Sequence, residues 1–255
     1  MTNEKTSPSS RFPINQEGKA QCLDCGEFKV DTMAVGLPGF QRTIRKGPYC
    51  ETCQAKRDEA ERQEQERREE AKARFRRENI EALMARVGVP RRYLACSLEN
   101  FMGKPPATSP AFISGAPGTG KTHLAVGFLR ERILAHGEGS CRFLRTVDLL
   151  KEIRASFSDA SGDSEKALLD HYGAKVVLLV LDDLGAEKVS DFVLQTLYDL
   201  LDRRYGECLE TIITSNLSLD QLTVHYGSHG DRLASRIAGM GPALVLKGKD
   251  RRWQR

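Results

Sequence analysis

A glycine-rich loop is the part of this sequence whose spacing points most directly to chemistry. The loop GAPGTGKT fits the pattern G-x-x-x-x-G-K-[ST], which binds nucleotide phosphates when a strand precedes it and a helix follows. Its glycines let backbone N–H groups face phosphate oxygens, its lysine reaches the β- and γ-phosphates, and its last threonine holds Mg²⁺. The predicted nucleotide contacts, with the histidine after the loop, are Gly115, Ala116, Pro117, Gly118, Thr119, Gly120, Lys121, Thr122 and His123.

Acidic and amide side chains follow two apolar stretches. Asp182 and Asp183 directly follow the apolar run VVLLVL, which spans Val176–Leu181. We predict that Asp182 helps Thr122 to hold Mg²⁺ and that Asp183 orients or deprotonates the attacking water. Asn216 follows the stretch ETIITS, and its amide could position the same water, although asparagine after a strand is also a common turn former.

Two arginines, Arg232 and Arg236, lie four residues apart in DRLASRI and share one face of a predicted helix. Surface arginines are usually solvated. A P-loop NTPase that works as an oligomer, however, often takes an arginine in trans to the γ-phosphate. One of the two could serve, and this predicts self-association through the ATP site.

Four of the seven cysteines form two C-x-x-C pairs, Cys22 with Cys25 and Cys50 with Cys53. Two such pairs can share one tetrahedral Zn²⁺, and four thiolate ligands make a closed, structural site. A thioredoxin-like redox site is the alternative, which the second pair disfavours. The remaining cysteines are predicted to be core or near-core thiols: Cys96, Cys141 and Cys208.

Strands and helices must alternate to position the phosphate-binding loop and the acidic residues. From about Pro90 onward, short apolar runs alternate with helical stretches, which predicts βαβ units and a parallel sheet covered on both faces. The predicted strands are Ala111–Ser114, Arg142–Thr146, Val176–Leu181, Thr211–Thr214 and Ala243–Leu246.

The region before this α/β part divides by composition. We predict a disordered tail over 1–20, a zinc-binding module over 21–53, a charged linker helix over 54–88 and an ATPase domain over 89–255. The helix region has no glycine or proline before Gly88 and permits i,i+4 pairs such as Glu64 with Arg68. Only its end has apolar residues spaced for docking: Phe75, Ile80, Leu83, Met84 and Val87.

Composition restricts the class of protein. The chain has 255 residues, of which 29% are charged, and 39 basic against 35 acidic side chains give a net charge of +4, which does not by itself indicate nucleic-acid binding. It has no apolar run long enough to span a membrane and no apolar leader near residue 1. We therefore predict a cytoplasmic protein that does not bind membranes.

From about Val89 to Arg252 the sequence resembles the DnaC/IstB-like family, the helicase-loader branch of the AAA+ ATPases. The matching stretches are VPRRYLACSLENF, GAPGTGKTHLA, FLRTVDLLKEI, LLVLDDLGAEK, TIITSNLSL and DRLASRI. The resemblance implies a three-layer P-loop AAA+ domain around a parallel sheet, with no C-terminal lid. It implies Lys121 and Thr122 as Walker A, Asp182 and Asp183 as Walker B, Asn216 as sensor 1, and Arg236 as arginine finger with Arg232 in support.

The resemblance also implies a function. The resemblance implies an ATPase that converts ATP and water to ADP and phosphate. Such a protein acts with a hexameric replicative DNA helicase and single-stranded DNA. Many AAA+ members carry glutamate at the position of Asp183, and the shorter carboxylate predicts slow or partner-gated hydrolysis. The zinc module and charged helix would recognise the helicase. Two alternatives stay open: an IstB-like transposition helper that binds duplex DNA and a transposase, and a DNA-binding regulator whose zinc ribbon contacts nucleic acid.

Overall fold

A computed structural model describes residues 13–35, 42–156, 163–248 and 250. The described chain forms two compact units, and their boundary falls between Lys72 and Ala73. We call the described residues 13–53 the cysteine module and the unit from Ala73 onward the α/β unit. Arg252, the last residue of the matching region, lies outside the described residues. In the part of the chain that the structure describes, no helix combines the length and the apolar character that crossing a membrane requires.

Two short antiparallel sheets build the cysteine module. Strand β1 (Ala20–Gln21) pairs with β2 (Phe28–Val30), and β3 (Thr32–Val35) pairs with β4 (Arg42–Arg45). Residues 1–12 of the predicted tail lie outside the described residues. Residues 13–20 form a turn that leads into β1, because Asn15 Oδ1 accepts a hydrogen bond of 2.8 Å from the Lys19 N–H.

The core of the cysteine module is small. Its buried residues are Ala20, Cys22, Val30 and Cys50, with Tyr49 and Cys53 packed against them. A core of this size cannot stabilise a fold by apolar burial alone, so a further source of stability is expected.

A helix of 28 residues, α1 (Glu51–Glu78), follows the module and has no buried residue. The predicted pair between Glu64 and Arg68 is present, with 2.9 Å between Arg68 Nε and Glu64 Oε1. Phe75 is 54% exposed, so the prediction that it docks on a core is wrong.

The predicted single helix is interrupted at Asn79, where a second helix, α2 (Ile80–Arg86), begins. The Asn79 side-chain amide donates to the Phe75 carbonyl at 2.9 Å, a local bond through which asparagine competes with regular helix geometry. Ile80, Leu83 and Met84 on α2 are buried in the core of the α/β unit.

A parallel sheet of five strands forms the centre of the α/β unit, in the order β6-β7-β8-β5-β9. The strand that carries the acidic pair begins at Leu178 rather than at Val176 and continues to Leu184. All carboxyl ends of parallel strands lie at one edge of the sheet, which therefore collects the residues that follow them. The strands are β5 (Phe112–Gly115), β6 (Cys141–Arg145), β7 (Leu178–Leu184), β8 (Glu210–Ser215) and β9 (Ala243–Leu246).

Helices cover both faces of this sheet. They are α3 (Lys121–His136), α4 (Thr146–Ser156), α5 (Asp163–Asp170), α6 (Asp191–Gly206), α7 (Leu219–Tyr226) and α8 (Gly230–Met240). One core cluster joins α2 and α3 to Val180 of the sheet, and another joins α4, α6, α7 and α8 to Leu179 and Leu181. Because neighbouring strand residues point to opposite faces, the two clusters lie on opposite sides of the sheet. The predicted three-layer α/β architecture is confirmed.

The cysteines outside the module differ in burial. Cys141 is buried and Cys96 half-buried, but Cys208 is exposed, so the prediction that Cys208 is a core or near-core thiol is wrong. The physical reason is its position just after α6, where its left-handed backbone (φ 52°) ends the helix. The Leu209 N–H then donates to the Arg204 carbonyl at 3.0 Å, a bond typical of helix C-termini.

Candidate functional site

The glycine-rich loop connects the end of β5 to the start of α3, as the motif requires. Gly120 is the N-cap residue of α3 and has φ 98°, a left-handed conformation that glycine adopts without strain. Thr119 Oγ1 donates to the Ala116 carbonyl at 2.9 Å and closes the loop on itself. The loop therefore presents the N-terminus of a 16-residue helix to the edge of the sheet, an arrangement that binds anions.

Lys121 is buried beneath this loop. Its ammonium donates to the carbonyls of Gly115 and Ala116, both at 2.9 Å, and to Asn216 Oδ1 at 2.8 Å. The lysine charge is thus held at the mouth of the loop by backbone and amide oxygens, where it can attract phosphate.

Asp182 receives two hydroxyl groups. The Thr122 hydroxyl donates to Asp182 Oδ1 at 2.9 Å, and the Thr214 hydroxyl donates to the same oxygen at 2.6 Å. Burial raises the pKa of the Asp182 carboxyl, and the two hydroxyl hydrogen bonds oppose that shift. A carboxylate beside a hydroxyl supplies the oxygen ligands that Mg²⁺ prefers.

Asp183 lies next to Asp182 in a left-handed conformation, φ 62°. Its N–H donates to Thr214 Oγ1 at 2.9 Å, and its carboxylate accepts a 3.0 Å hydrogen bond from Asn216 Nδ2. Asn216 therefore links Lys121 to Asp183, with its oxygen toward the lysine and its nitrogen toward the carboxylate.

These residues line one cavity of about 1100 Å³. The segment before β5 also lines the cavity, including Tyr93, Cys96 and Met102. His123 also lines the cavity, and its Nε2 lies 2.8 Å from Asn100 Oδ1. The lining of the cavity thus combines cationic and acidic side chains with apolar ones, which suits a nucleotide with a planar base.

The structure does not bring the two candidate arginines to this cavity within one chain. Arg232 and Arg236 line a separate surface hollow of about 290 Å³ on α8, together with Tyr198. Arg236 Nε donates to Asp202 Oδ1 at 2.5 Å, and this acidic partner raises the pKa of the Arg236 guanidinium.

Sequence reasoning assigned no role to Thr214, which lines the cavity, or to Asp250, which lies against the phosphate-binding loop. Thr214 belongs to the stretch ITSN, in which only the asparagine was singled out as a candidate. Asp250 carries no sequence signal, yet a Cβ placed on Gly118 would lie only 1.8 Å from Asp250 Oδ1. The parallel pairing of β9 with β5, with Leu246 opposite Gly115, brings the residues after β9 to the phosphate-binding loop.

The four predicted ligand cysteines come together in the cysteine module. The Sγ atoms of Cys22, Cys25, Cys50 and Cys53 all lie within 4.8 Å of one another. Tetrahedral Zn–S bonds of about 2.3 Å place sulfurs about 3.8 Å apart. The Cys25 and Cys50 sulfurs are separated by 4.0 Å. The donor set and its spacing therefore fit one thiolate-bound metal ion.

Backbone N–H groups also support this cluster. They lower the pKa of the Cys22 thiol to about 6, with the Cys25 N–H contributing most. The Cys50 N–H donates to Cys22 Sγ at 3.3 Å, immediately before α1 begins at Glu51. These donors favour the thiolate form of Cys22, whereas hydrogen bonding to Cys50 raises the pKa of the Cys53 thiol to about 12, so Cys22 is the cysteine of the cluster best prepared to bind a metal as thiolate.

The chain matches the model of a known protein family. A family model described as IstB-like ATP binding protein matches residues 108–238. This range begins just before β5 and ends within α8, so it includes the phosphate-binding loop, the acidic pair, Asn216 and both arginines.

Similar proteins include replicative helicase loaders. The loader DnaC of Buchnera aphidicola subsp. Schizaphis graminum is 28% identical over 188 residues, covering 66% of this chain and 72% of that protein. DnaC of Escherichia coli (strain K12) is 32% identical over 110 residues, 43% of each. A crystal structure of the DnaC helicase loader is 26% identical with a TM-score of 0.51, covering 62% of this chain and 100% of that one. A DnaI crystal structure (24% identical, TM-score 0.50, covering 64% and 94%) shares the fold.

Proposed function

Because this chain belongs to the IstB-like ATP-binding protein family, we propose that it binds ATP with Mg²⁺ and hydrolyses ATP to ADP and phosphate. The observation that carries the proposal is the convergence of three strand ends on one cavity. Lys121 follows β5, Asp182 and Asp183 lie in β7, and Asn216 follows β8. These are the residue types that phosphoryl transfer needs, at hydrogen-bonding distances from one another.

Each residue has a proposed task. Lys121 binds the β- and γ-phosphates, supported by its place at the mouth of the loop. Thr122 and Asp182 hold Mg²⁺, supported by the 2.9 Å contact between their oxygens. Asp183 orients or deprotonates the attacking water together with Asn216, and its short side chain favours slow or partner-gated hydrolysis.

A second copy of the chain completes the site in this proposal. Arg236, with Arg232 beside it, acts in trans on the γ-phosphate of a neighbour. The position of both arginines on α8, outside the cavity of their own chain, supports action in trans. Self-association would therefore be required for full turnover.

We propose zinc for the cysteine cluster. Four thiolates are the donor set of closed structural zinc sites. Such an ion would supply stability that the small apolar core lacks. A reducing cytoplasm, in which thiols stay free, is the compartment we propose.

The proposed biological role is that of a replicative helicase loader that contacts a hexameric helicase and single-stranded DNA. The support is the similarity to proteins named replicative helicase loader DnaC. The cysteine module and α1 are the proposed contact with the helicase. The alternative is a transposition helper that binds duplex DNA and a transposase, and the IstB-like family match favours keeping it.

The ATPase proposal is tested with the full chain and Lys121→Ala. We expect loss of ATP affinity by about 100-fold or more, because the loop loses its only lysine facing the phosphates. Lys151→Ala removes an exposed lysine of α4 and serves as the matched control. Unchanged ATP affinity of Lys121→Ala would contradict the assignment.

The partner is tested by capture of purified proteins. The full chain, with and without ATP, is offered a replicative helicase and, in parallel, a transposase. Capture of the helicase, lost when residues 1–53 are removed, supports the loader role. Capture of the transposase, or binding of duplex DNA with ATP and of neither protein, would instead favour the transposition helper.

A further inference from the structure

Residues 183–187, which we call the Asp183 turn, comprise the last two residues of β7 and the bend that follows, and they hold Asp183 in an unusual backbone geometry. Asp183 and Gly185 have φ values of 62° and 88°, so two left-handed residues lie within one short turn. Left-handed geometry is unfavourable for an aspartate and persists only where surrounding contacts hold it. The contacts of this turn therefore decide where the Asp183 carboxylate lies.

Glu187 supplies one of these contacts. Its carboxylate accepts the Gly185 N–H, at 3.1 Å to one oxygen and 3.3 Å to the other. The same carboxylate accepts a hydrogen bond from the Tyr226 hydroxyl of α7. Glu187 is 8% exposed and Tyr226 2% exposed, so this hydrogen-bonded pair is shielded from water.

Leu217, which precedes α7, and Leu222 of α7 also lie close to the turn. A Cβ on Gly185 would lie 3.0 Å from Leu217 Cδ1 and 3.1 Å from Leu222 Cδ2, which is tighter than ordinary packing. Tyr226 is also the last residue of α7, immediately before the short connection to α8. The turn that carries Asp183 is thus fastened to the helix pair that carries Arg232 and Arg236.

We propose that Glu187 is a positioning residue for ATP hydrolysis, which holds the Asp183 turn against α7 through Gly185 and Tyr226. This inference rests on the proposed ATPase function. Glu187 does not line the nucleotide cavity, so it acts through Asp183 and not on the substrate. Its loss should let the turn relax and weaken the 3.0 Å bond between Asn216 and Asp183.

The test separates ATP binding from turnover in the full chain. We expect Glu187→Ala to lower kcat about 10-fold or more while the Kd for ATP changes less than about threefold, because Lys121 and the loop are untouched. Glu187→Gln should fall between this variant and wild type, since one amide oxygen can still accept the Gly185 N–H. Tyr226→Phe should lower kcat about threefold.

The chain offers a matched control. Tyr172 donates to both oxygens of Glu152 at 3.1 Å, a tyrosine–glutamate pair that does not line the cavity. Glu152→Ala and Tyr172→Phe should leave kcat within about twofold of wild type, because distant sites act independently.

The possible outcomes separate a failure of the proposed ATPase function from a failure of the role proposed for Glu187. A wild-type chain that fails to bind ATP or fails to hydrolyse it would overturn the ATPase function and this inference with it. Active wild type with unchanged kcat in Glu187→Ala would overturn the inference alone. Equal losses in kcat and ATP affinity would also overturn it, because they indicate general structural damage. If Glu187→Ala fails to fold, the kcat of Tyr226→Phe decides between the same results.

Discussion

In the cysteine module two of the four site residues belong to the core, whereas in the α/β unit the site residues lie at the edge of a sheet whose core is made by other residues. Cys22 and Cys50 are two of the four residues in the buried cluster of the module. None of Lys121, Asp182 and Asp183 belongs to either apolar cluster of the α/β unit.

The cysteine module and the α/β unit are therefore expected to derive their stability from different sources. The module has too little apolar surface to fold on burial alone, so its fold should depend on the zinc ion proposed for its cysteines. The phosphate site is held by a parallel sheet and by hydrogen bonds among its own side chains, such as those that Asn216 makes with Lys121 and Asp183. Removing a ligand should therefore affect the two regions very differently.

The largest expected effect is the loss of the metal. Cys50→Ser, or chelation, should remove the proposed zinc ion and abolish the folded structure of the cysteine module, because a structural ion supplies much of the folding free energy of small domains. Hydrogen exchange resolved by peptide, with metal content by mass spectrometry, measures this. ATP affinity should stay within about twofold.

Cys208→Ser is the control for this change, because Cys208 is exposed and outside the module. It should alter neither metal content nor exchange. A module that stays protected without metal would show that its small core suffices, and the contrast between the two regions would fail.

The second-largest effect is a loss of stability confined to the α/β unit, and it is expected from a substitution that removes a buried cation. Arg204 is fully buried, and burial lowers its pKa to about 10. It donates to Thr211 Oγ1 at 2.9 Å and to the carbonyls of Tyr172 (2.6 Å) and Val176 (2.7 Å). Arg204→Met leaves these acceptors unpaired and should cost about 3–5 kcal/mol in the free energy of unfolding.

Urea unfolding of the full chain measures this loss, and hydrogen exchange in the cysteine module should stay unchanged. The neighbouring Arg203 is exposed and pairs with Asp170, so Arg203→Met is the control, with a cost below about 1 kcal/mol. A loss for Arg204→Met as small as that of the control would show that water replaces the missing hydrogen bonds.

The third effect concerns the carboxylate that lies against the phosphate-binding loop. Asp250→Asn removes a negative charge beside Gly118, so ATP should bind about threefold to tenfold more tightly. Calorimetric titration of ATP measures the change. Asp220→Asn, at an exposed aspartate on α7, should leave the affinity unchanged. Weaker binding by Asp250→Asn would mean that the carboxylate supports the nucleotide site.

Most of the α/β unit and the cysteine cluster could be predicted from the sequence, because the sequence signals for both are local. The loop motif, the apolar runs and the C-x-x-C pairs are each contained in a few consecutive residues. Strand order is not local, and it brings Asp250 to Gly118 and Tyr226 to Glu187. The exposed Cys208 and the interruption at Asn79 were missed for another reason, since each depends on one residue's backbone geometry, which periodicity does not specify.

The smallest expected effect lies in the part of α1 after Cys53, which contributes neither a proposed metal ligand nor a buried residue. With no buried residue, its stability must come from helix propensity and from exposed ion pairs such as Glu64 with Arg68. Arg68→Ala should therefore cost less than about 0.5 kcal/mol, and high salt should reduce that cost. Circular dichroism of thermal unfolding at two salt concentrations measures it, with the adjacent exposed Arg67→Ala as control. A cost above about 1.5 kcal/mol that salt does not change would show that α1 is stabilised by packing. The chain would then have three regions that are stabilised in different ways, and α1 would not be merely a solvated connection between two of them.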